Sequence, residues 1–339
     1  MFVVHSYPLA VVFCVLTMLC WGSWAVTRKL ARPDWRFELF YWDYTLGVLL
    51  VTLALGLTLG SSGTEGRAFF VDLAQASTAS ILAALFGGAI FNLANILLVA
   101  AIDIAGMAVA FPVGIGLALI IGVIMNYLAA PIGNISLLSA GVGLVTLAII
   151  LDALAYRRLA GGVSGSGGGE KSSGRGLLLS VACGVFMGVF YRFVAAAMYA
   201  DPAHAVAGKM GSYAAVFVMA IGILLSSGVW NVIAMRKPVV GVPVSFRDYF
   251  AASLPTHMTG VLGGLIWGAG TSLNLIASGR AGFAISYGLG QGATMIAAIW
   301  GVFIWKEFRT APAGTYPLLA AMFGSFLAGL ALIVLARMT

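Results

Sequence analysis

Ala105-Gly106-Met107-Ala108-Val109-Ala110-Phe111-Pro112-Val113-Gly114-Ile115-Gly116 returns 176 positions later as Ala281-Gly282-Phe283-Ala284-Ile285-Ser286-Tyr287-Gly288-Leu289-Gly290-Gln291-Gly292. Gly106, Gly114 and Gly116 map onto Gly282, Gly290 and Gly292 without a gap, and each copy enters a long apolar run. A duplicated, glycine-punctuated entry to an apolar helix points to a membrane protein built from an internal repeat, with a site near the repeat interface.

The composition agrees. Of 339 residues, 61% are hydrophobic and 9% charged, against about 25% charged in a soluble domain. Such a chain cannot cover a water-facing surface. At ~20 apolar residues per transmembrane helix it holds about ten spans. They are read at 8–27, 39–60, 78–100, 107–128, 135–154, 176–197, 212–235, 256–276, 283–305 and 316–336. The first has no basic stretch before it and is followed by Arg28-Lys29, so it reads as a span and not a cleaved signal. Cys14, Cys20 and Cys183 fall inside apolar runs with no metal or redox spacing, and read as small packing residues.

Between the fifth and sixth runs, Gly161 to Gly174 is a Gly/Ser linker. It divides the chain into a first five-helix repeat at 1–156, a linker at 157–175 and a second repeat at 176–339. Gly87-Gly88 matches Gly263-Gly264 across the same offset. The net charge of +7 comes from residues between spans. Arg28, Lys29, Arg32 and Arg36 follow the first, Arg157, Arg158, Lys171 and Arg175 the fifth, Arg236, Lys237 and Arg247 the seventh, Lys306 and Arg309 the ninth. No block forms a nucleic-acid patch. By the positive-inside rule these connections are cytoplasmic and both termini outside. Five helices per half then insert the halves in opposite senses. The expected fold is an all-α membrane protein with ten transmembrane helices as two five-helix inverted-topology repeats.

Gly165 to Ser172 approaches the phosphate-loop pattern, but Glu170 replaces its second glycine and no strand precedes it. Without nucleotide hydrolysis, active transport draws on an ion gradient or on exchange. No titratable cluster has nucleophile–base spacing, so an enzyme is not expected, and no cofactor or metal is implied. Polar groups inside the runs are the candidate site. Gln291 sits among Gly288, Gly290 and Gly292, beside Tyr287, and its amide needs either a solute or a neighbouring backbone. Asn92 and Asn95 share one face of the third helix; Thr271 lies in the eighth. Amides there serve either a solute or interhelical bonding. Trp21, Trp24 and Trp267 suit stacking on a ring, though a tryptophan at a helix end is also an interface anchor. Asp43, in the second span, is the candidate proton-coupling carboxylate, with an edge pairing to Arg28 or Arg36 as the alternative. Asp103 reads as a solvated turn residue and Lys306-Glu307 as a surface pair.

Ten helices in two inverted halves resemble the drug/metabolite transporter superfamily. Gly264 to Ser272, Ala284 to Gln291 and Trp305-Lys306-Glu307 are similar to the bacterial glucose/ribose/rhamnose uptake carriers, where a Gly-Asn pair stands in place of Gly270-Thr271. Trp21-Gly22-Ser23-Trp24, Tyr41 to Leu46 and Leu93-Ala94-Asn95 resemble the plant ureide permeases. That family implies proton-coupled carriage of allantoin, uracil and related heterocycles; its long central loop is missing here. The expected function is import of a small neutral polar solute, a sugar first, by proton-coupled alternating access at the cell inner membrane. In that scheme Asn92, Asn95, Thr271 and Gln291 hydrogen-bond the solute, Trp21, Trp24, Tyr287 and Trp267 stack on it, and Asp43 carries the proton. The alternatives are a ureide or nucleobase proton symporter and a drug or metabolite exporter.

Overall fold

In lipid every backbone polar group must be satisfied within the protein, so an apolar chain of this kind folds as helices. The computed structural model describes residues 1–163, 173–202 and 204–338; its regular elements there are helices, with one isolated bridge pairing Met198 with Met210. The phosphate-loop-like stretch 165–172 lies outside the described residues. Ten helices among the described residues are long and apolar enough to cross a membrane: α1 (Tyr7–Leu30), α2 (Phe37–Leu57), α3 (Thr78–Ala105), α4 (Val109–Ala129), α5 (Ile135–Leu159), α6 (Gly174–Ala197), α7 (Ser212–Arg236), α8 (Leu254–Ala281), α9 (Phe283–Ile304) and α10 (Thr315–Leu335). Each expected run falls on one of them. Two short helices, Phe69–Gln75 and Phe246–Phe250, lie in the connections after α2 and α7.

The duplicated stretch folds the same way twice. Gly106 ends α3 with φ 77° and ψ 164°, and Gly282 ends α8 with φ 88° and ψ 148°. A side chain is strained at such φ, which explains glycine at both positions. Each glycine carbonyl then accepts the first hydrogen bond of the next helix, from Ala110 N and Ser286 N, both at 3.0 Å.

The main helix pairs follow one pattern. α3 packs on α6 and α7, and α8 packs on α1 and α2. α4 packs on α6 and α5, and α9 on α1 and α10. α2 meets α7, α4 meets α9 and α5 meets α10. Exchanging the first five helices for the last five leaves this set of pairs unchanged. The tightest crossings use matched glycines. A methyl on Gly264 would fall on the Tyr44 carbonyl oxygen of α2, and one on Gly88 on the Met219 carbonyl oxygen of α7. Small residues at these crossings let backbones touch, the form of packing that holds helices together where lipid removes the hydrophobic drive.

α9 is not one rod. Its first segment stops at Gly290, Gln291 and Gly292 form a turn, Ala293–Ile299 resumes, and Trp300–Ile304 widens to a π-helix. Interrupted membrane helices mark solute sites, because the broken turn frees polar groups at membrane depth.

Candidate functional site

A cavity of about 410 Å³ opens where α1, α3, α5 and α9 end and narrows between α1, α3, α4, α6, α8 and α9. Its rim carries Arg28, Lys29, Asp103 and Glu307; its floor carries Trp21, Phe91, Asn95, Phe190, Trp267 and Gln291. The floor is an aromatic slot. Trp267 stacks on Trp21 with ring centroids 6.4 Å apart and planes 14° apart, and on Phe91 at 4.3 Å and 26°. Trp24, packed 4.7 Å from Tyr44, forms another side.

Two amides face this slot. Gln291 sits at the break in α9, and its side chain makes no hydrogen bond within the described residues. Asn95 donates one weak bond to Tyr41 Oη at 3.3 Å and keeps its carbonyl oxygen for the cavity. A buried amide atom without a partner is costly, so the Gln291 amide and the Asn95 carbonyl oxygen are poised for a solute. Each amide presents a donor and an acceptor.

Of the sequence candidates, Trp21, Trp24, Asn95, Trp267 and Gln291 are thus brought together. Asn92, Thr271 and Tyr287 do not line the cavity. Asn92 Nδ2 donates to Ser226 Oγ at 2.7 Å, Ser227 Oγ at 3.2 Å and the Ile223 carbonyl at 3.2 Å, joining α3 to α7. Tyr287 Oη donates to the carbonyls of Met187 at 3.0 Å and Ala118 at 3.3 Å, joining α9 to α6 and α4. Thr271 Oγ1 donates to the Trp267 carbonyl and accepts from Trp21 Nε1, both at 3.0 Å. It therefore sets the tilt of the Trp21 indole. Gly290 leaves room for the same ring: a methyl there would lie 2.7 Å from Trp21 Cζ3. We expect Thr271→Val to weaken solute affinity about threefold to tenfold, through loss of one net hydrogen bond of ~1 kcal/mol, checked by uptake competition; Thr271→Ser should restore it.

Asp43 also lies away from the cavity. Tyr249 Oη donates to its Oδ1 at 2.6 Å, and His257 Nδ1 lies 3.0 and 2.9 Å from its two oxygens. Trp35 meets His257 edge-on at 5.5 Å. Burial, and next the bond to Asp43, push the Tyr249 phenol above its usual range. The group ties α2 to the start of α8 and to the short helix Phe246–Phe250.

Beyond the floor lies a buried polar cluster, hereafter the latch. Tyr191 Oη donates to Asn274 Oδ1 at 2.7 Å and lies 3.0 Å from Ser286 Oγ; Asn274 Nδ2 donates to the Ser286 carbonyl at 2.8 Å. All three residues are buried, and they join α6, α8 and α9.

With this geometry in hand, the relatives can be placed. A family model described as Ureide permease matches residues 40–161 and 169–336. The chain belongs to the ureide permease family. Ureide permease 1 of Arabidopsis thaliana is 22% identical over 384 residues, covering 98% of both chains. Ureide permease 4 of the same plant is 23% identical over the same shares, and Probable ureide permease A3 of Vigna unguiculata 22% identical over 92% of this chain and 99% of its own. A solved crystal structure shares the fold at TM-score 0.58 and 18% identity, covering 97% of this chain and 98% of that one. As a ureide permease family member this chain is a membrane transporter, not an enzyme.

In this family member several cavity residues escaped the sequence reading. Phe91 carries no polar signal inside an apolar helix. Glu307 stood beside Lys306 and read as a surface pair, but its partner is Lys29, 278 positions away, at 3.0 Å. Asp103 read as a solvated turn residue; it is exposed, yet on the cavity rim.

The latch makes its own prediction. Tyr191→Phe removes both hydroxyl contacts, each worth ~0.6 kcal/mol in a membrane protein. A Ser286→Cys reporter already gives up the Ser286 Oγ contact, so with the native cysteines replaced it should react a few-fold faster with thiol reagent from the far end when Tyr191→Phe removes the remaining bond to Asn274.

Proposed function

We propose that this ureide permease imports a neutral, planar heterocycle bearing amide or urea groups, allantoin or uracil in kind, by proton-coupled alternating access. One observation carries the reading: an aromatic slot walled by Trp267, Trp21 and Phe91 that offers the free amide of Gln291 and the free side-chain carbonyl oxygen of Asn95. A flat ring stacks on indole faces, while cyclic amide edges present the alternating donors and acceptors that Asn and Gln side chains complement. A sugar asks for more hydroxyl-directed groups than this floor provides. The names of the relatives point the same way, and the sugar expectation gives way to the ureide one.

The exchange symmetry of the helix pairs supports two five-helix halves in inverted topology, with the site between them. With the basic connections cytoplasmic, the open rim faces the cytoplasm and the latch faces outward, so the conformation is inward-open. The inner-membrane location belongs to the same proposal.

The test is uptake in proteoliposomes. Labelled allantoin or uracil should enter saturably and exchange in counterflow, and a hundredfold excess of glucose should not compete. Saturable glucose uptake that allantoin and uracil leave untouched would overturn the reading.

A further inference from the structure

The rim holds a carboxylate that the backbone goes out of its way to position. α9 ends in the π-helical turn Trp300–Ile304, closed by Trp305 N donating to the Trp300 carbonyl at 2.8 Å. Lys306 then adopts φ 52°, and it is the one non-glycine residue with positive φ among the described residues. π-turns and left-handed non-glycine residues are strained and cluster at functional positions. Their combined effect is to turn Glu307 back toward the cavity. Its Oε1 accepts from Lys29 Nζ at 3.0 Å and its Oε2 from Tyr156 Oη at 3.1 Å. Gly301 clears the space: a methyl there would lie 2.7 Å from Tyr156 Oη and 3.1 Å from Glu307 Oε2.

Behind this pair sits a second acid. Asp152 lies one helical turn before Tyr156 on α5, is 8% exposed, and leaves Oδ1 buried without a hydrogen-bond partner. The Lys29 and Glu307 side chains are 49% and 33% exposed, yet an ordinary surface ion pair needs none of these features. An exposed Lys–Glu contact forms on ordinary backbone, with no glycine cleared beside it and no unsatisfied acid behind it.

We propose that Glu307, backed by Asp152, is the proton-binding site that couples transport, an inference that rests on the carrier reading above. In the open form Glu307 is the carboxylate partner of Lys29. Closing the rim draws the ends of α1, α3, α5 and α9 together and drives water out. The groups facing Glu307 are then Arg28 and Lys29 from α1, Asp103 from α3, Asp152 and Tyr156 from α5, and Lys306 and Arg309 on its own segment. An ion pair closed into a dry, low-dielectric seam is costly. A proton arriving from water through the cavity forms one O–H bond on Glu307; the Lys29 hydrogen bond breaks, and Lys29 swings to solvent. When the rim reopens, Glu307 releases the proton to the rim-side water and takes Lys29 back. Solute entry and proton entry are thereby locked to one conformational cycle.

The experiment compares wild type, Glu307→Gln, Asp152→Asn and Asp43→Asn in proteoliposomes with labelled allantoin. Two readouts are taken: accumulation driven by an imposed pH gradient, and counterflow with no gradient. The expected result is that Glu307→Gln and Asp152→Asn lose at least tenfold in pH-driven accumulation yet keep counterflow, which also shows that they fold. Asp43→Asn keeps both. Wild-type-like pH-driven accumulation in Glu307→Gln would overturn the coupling site and leave the carrier reading standing, as would loss of accumulation in Asp43→Asn alone. Wild-type counterflow without any pH drive would do the same. Absence of wild-type counterflow with every ureide and nucleobase tried would remove the carrier reading, and this proposal with it.

Discussion

Trp267→Ala should bring solute uptake to background while the chain still reaches the membrane. Trp267 is 5% exposed and stands between Trp21 and Phe91, with Tyr44 a further 6.1 Å away. Truncation removes the central plane of the slot and lets both neighbours collapse into the gap. A buried Trp→Ala change costs ~3–5 kcal/mol of packing, and an aromatic stack adds ~0.5–1.5 kcal/mol to its contact area. The loss at the solute alone amounts to a tenfold or greater drop in apparent affinity. Trp267→Phe keeps one ring of the stack and should retain partial, saturable uptake. Labelled uptake with size-exclusion profiles in detergent separates lost binding from lost folding. A monodisperse Trp267→Ala protein that transports at more than half the wild-type rate would defeat the slot.

The second large effect is on assembly. Gly264→Val should leave little monodisperse protein, and Gly88→Val should do the same. At Gly264 the added atoms meet the Tyr44 carbonyl, the Val48 amide nitrogen at 2.8 Å and the Gly47 Cα at 2.9 Å. Overpacking costs ~1–3 kcal/mol where side chains can move aside. Here the obstacle is the backbone of another helix, so α2 and α8 must separate along the crossing. Gly324→Ala is the control, because a methyl there meets nothing within 4 Å. Expression with thermal unfolding in detergent reads the difference. A Gly264→Val protein as stable as the Gly324→Ala protein would show that the crossing is looser than its geometry says.

How much of this was legible beforehand depends on the range of the interaction. Ten spans were readable because twenty apolar residues in lipid have one solution. Gly106 and Gly282 stood out as punctuation before apolar runs, because positive φ leaves its mark in residue type. Gln291 stood out because an amide has no bland place among apolar residues. The sequence left each amide open between solute and helix backbone, and only three-dimensional neighbours divide them: Asn92 lies against two serines of α7, whereas Asn95, one turn along, meets the cavity. Asp43 shows the same limit, since Tyr249 and His257 are 206 and 214 positions away. Lys306 and Glu307 were misleading for the opposite reason. Adjacent opposite charges suggest a local pair, but a left-handed residue between π-turn and carboxylate sends the acid elsewhere.

The Tyr191–Asn274–Ser286 latch has a consequence for the resting cycle. Shifted by 176 positions, Asn274 and Ser286 fall on Leu98 and Ala110, which have no polar side chains. One end of the carrier is therefore fastened by a hydrogen-bonded cluster that has no counterpart at the matched positions of the other. An unloaded molecule has a bias built into its two seams and waits with the rim open, like a door hung to swing shut on one side only. Influx then begins with a slow unfastening step, while efflux begins at a site already exposed. Inhibitors offered from the rim side should meet their site without delay, and those offered from the far side should act with a lag that Tyr191→Phe shortens.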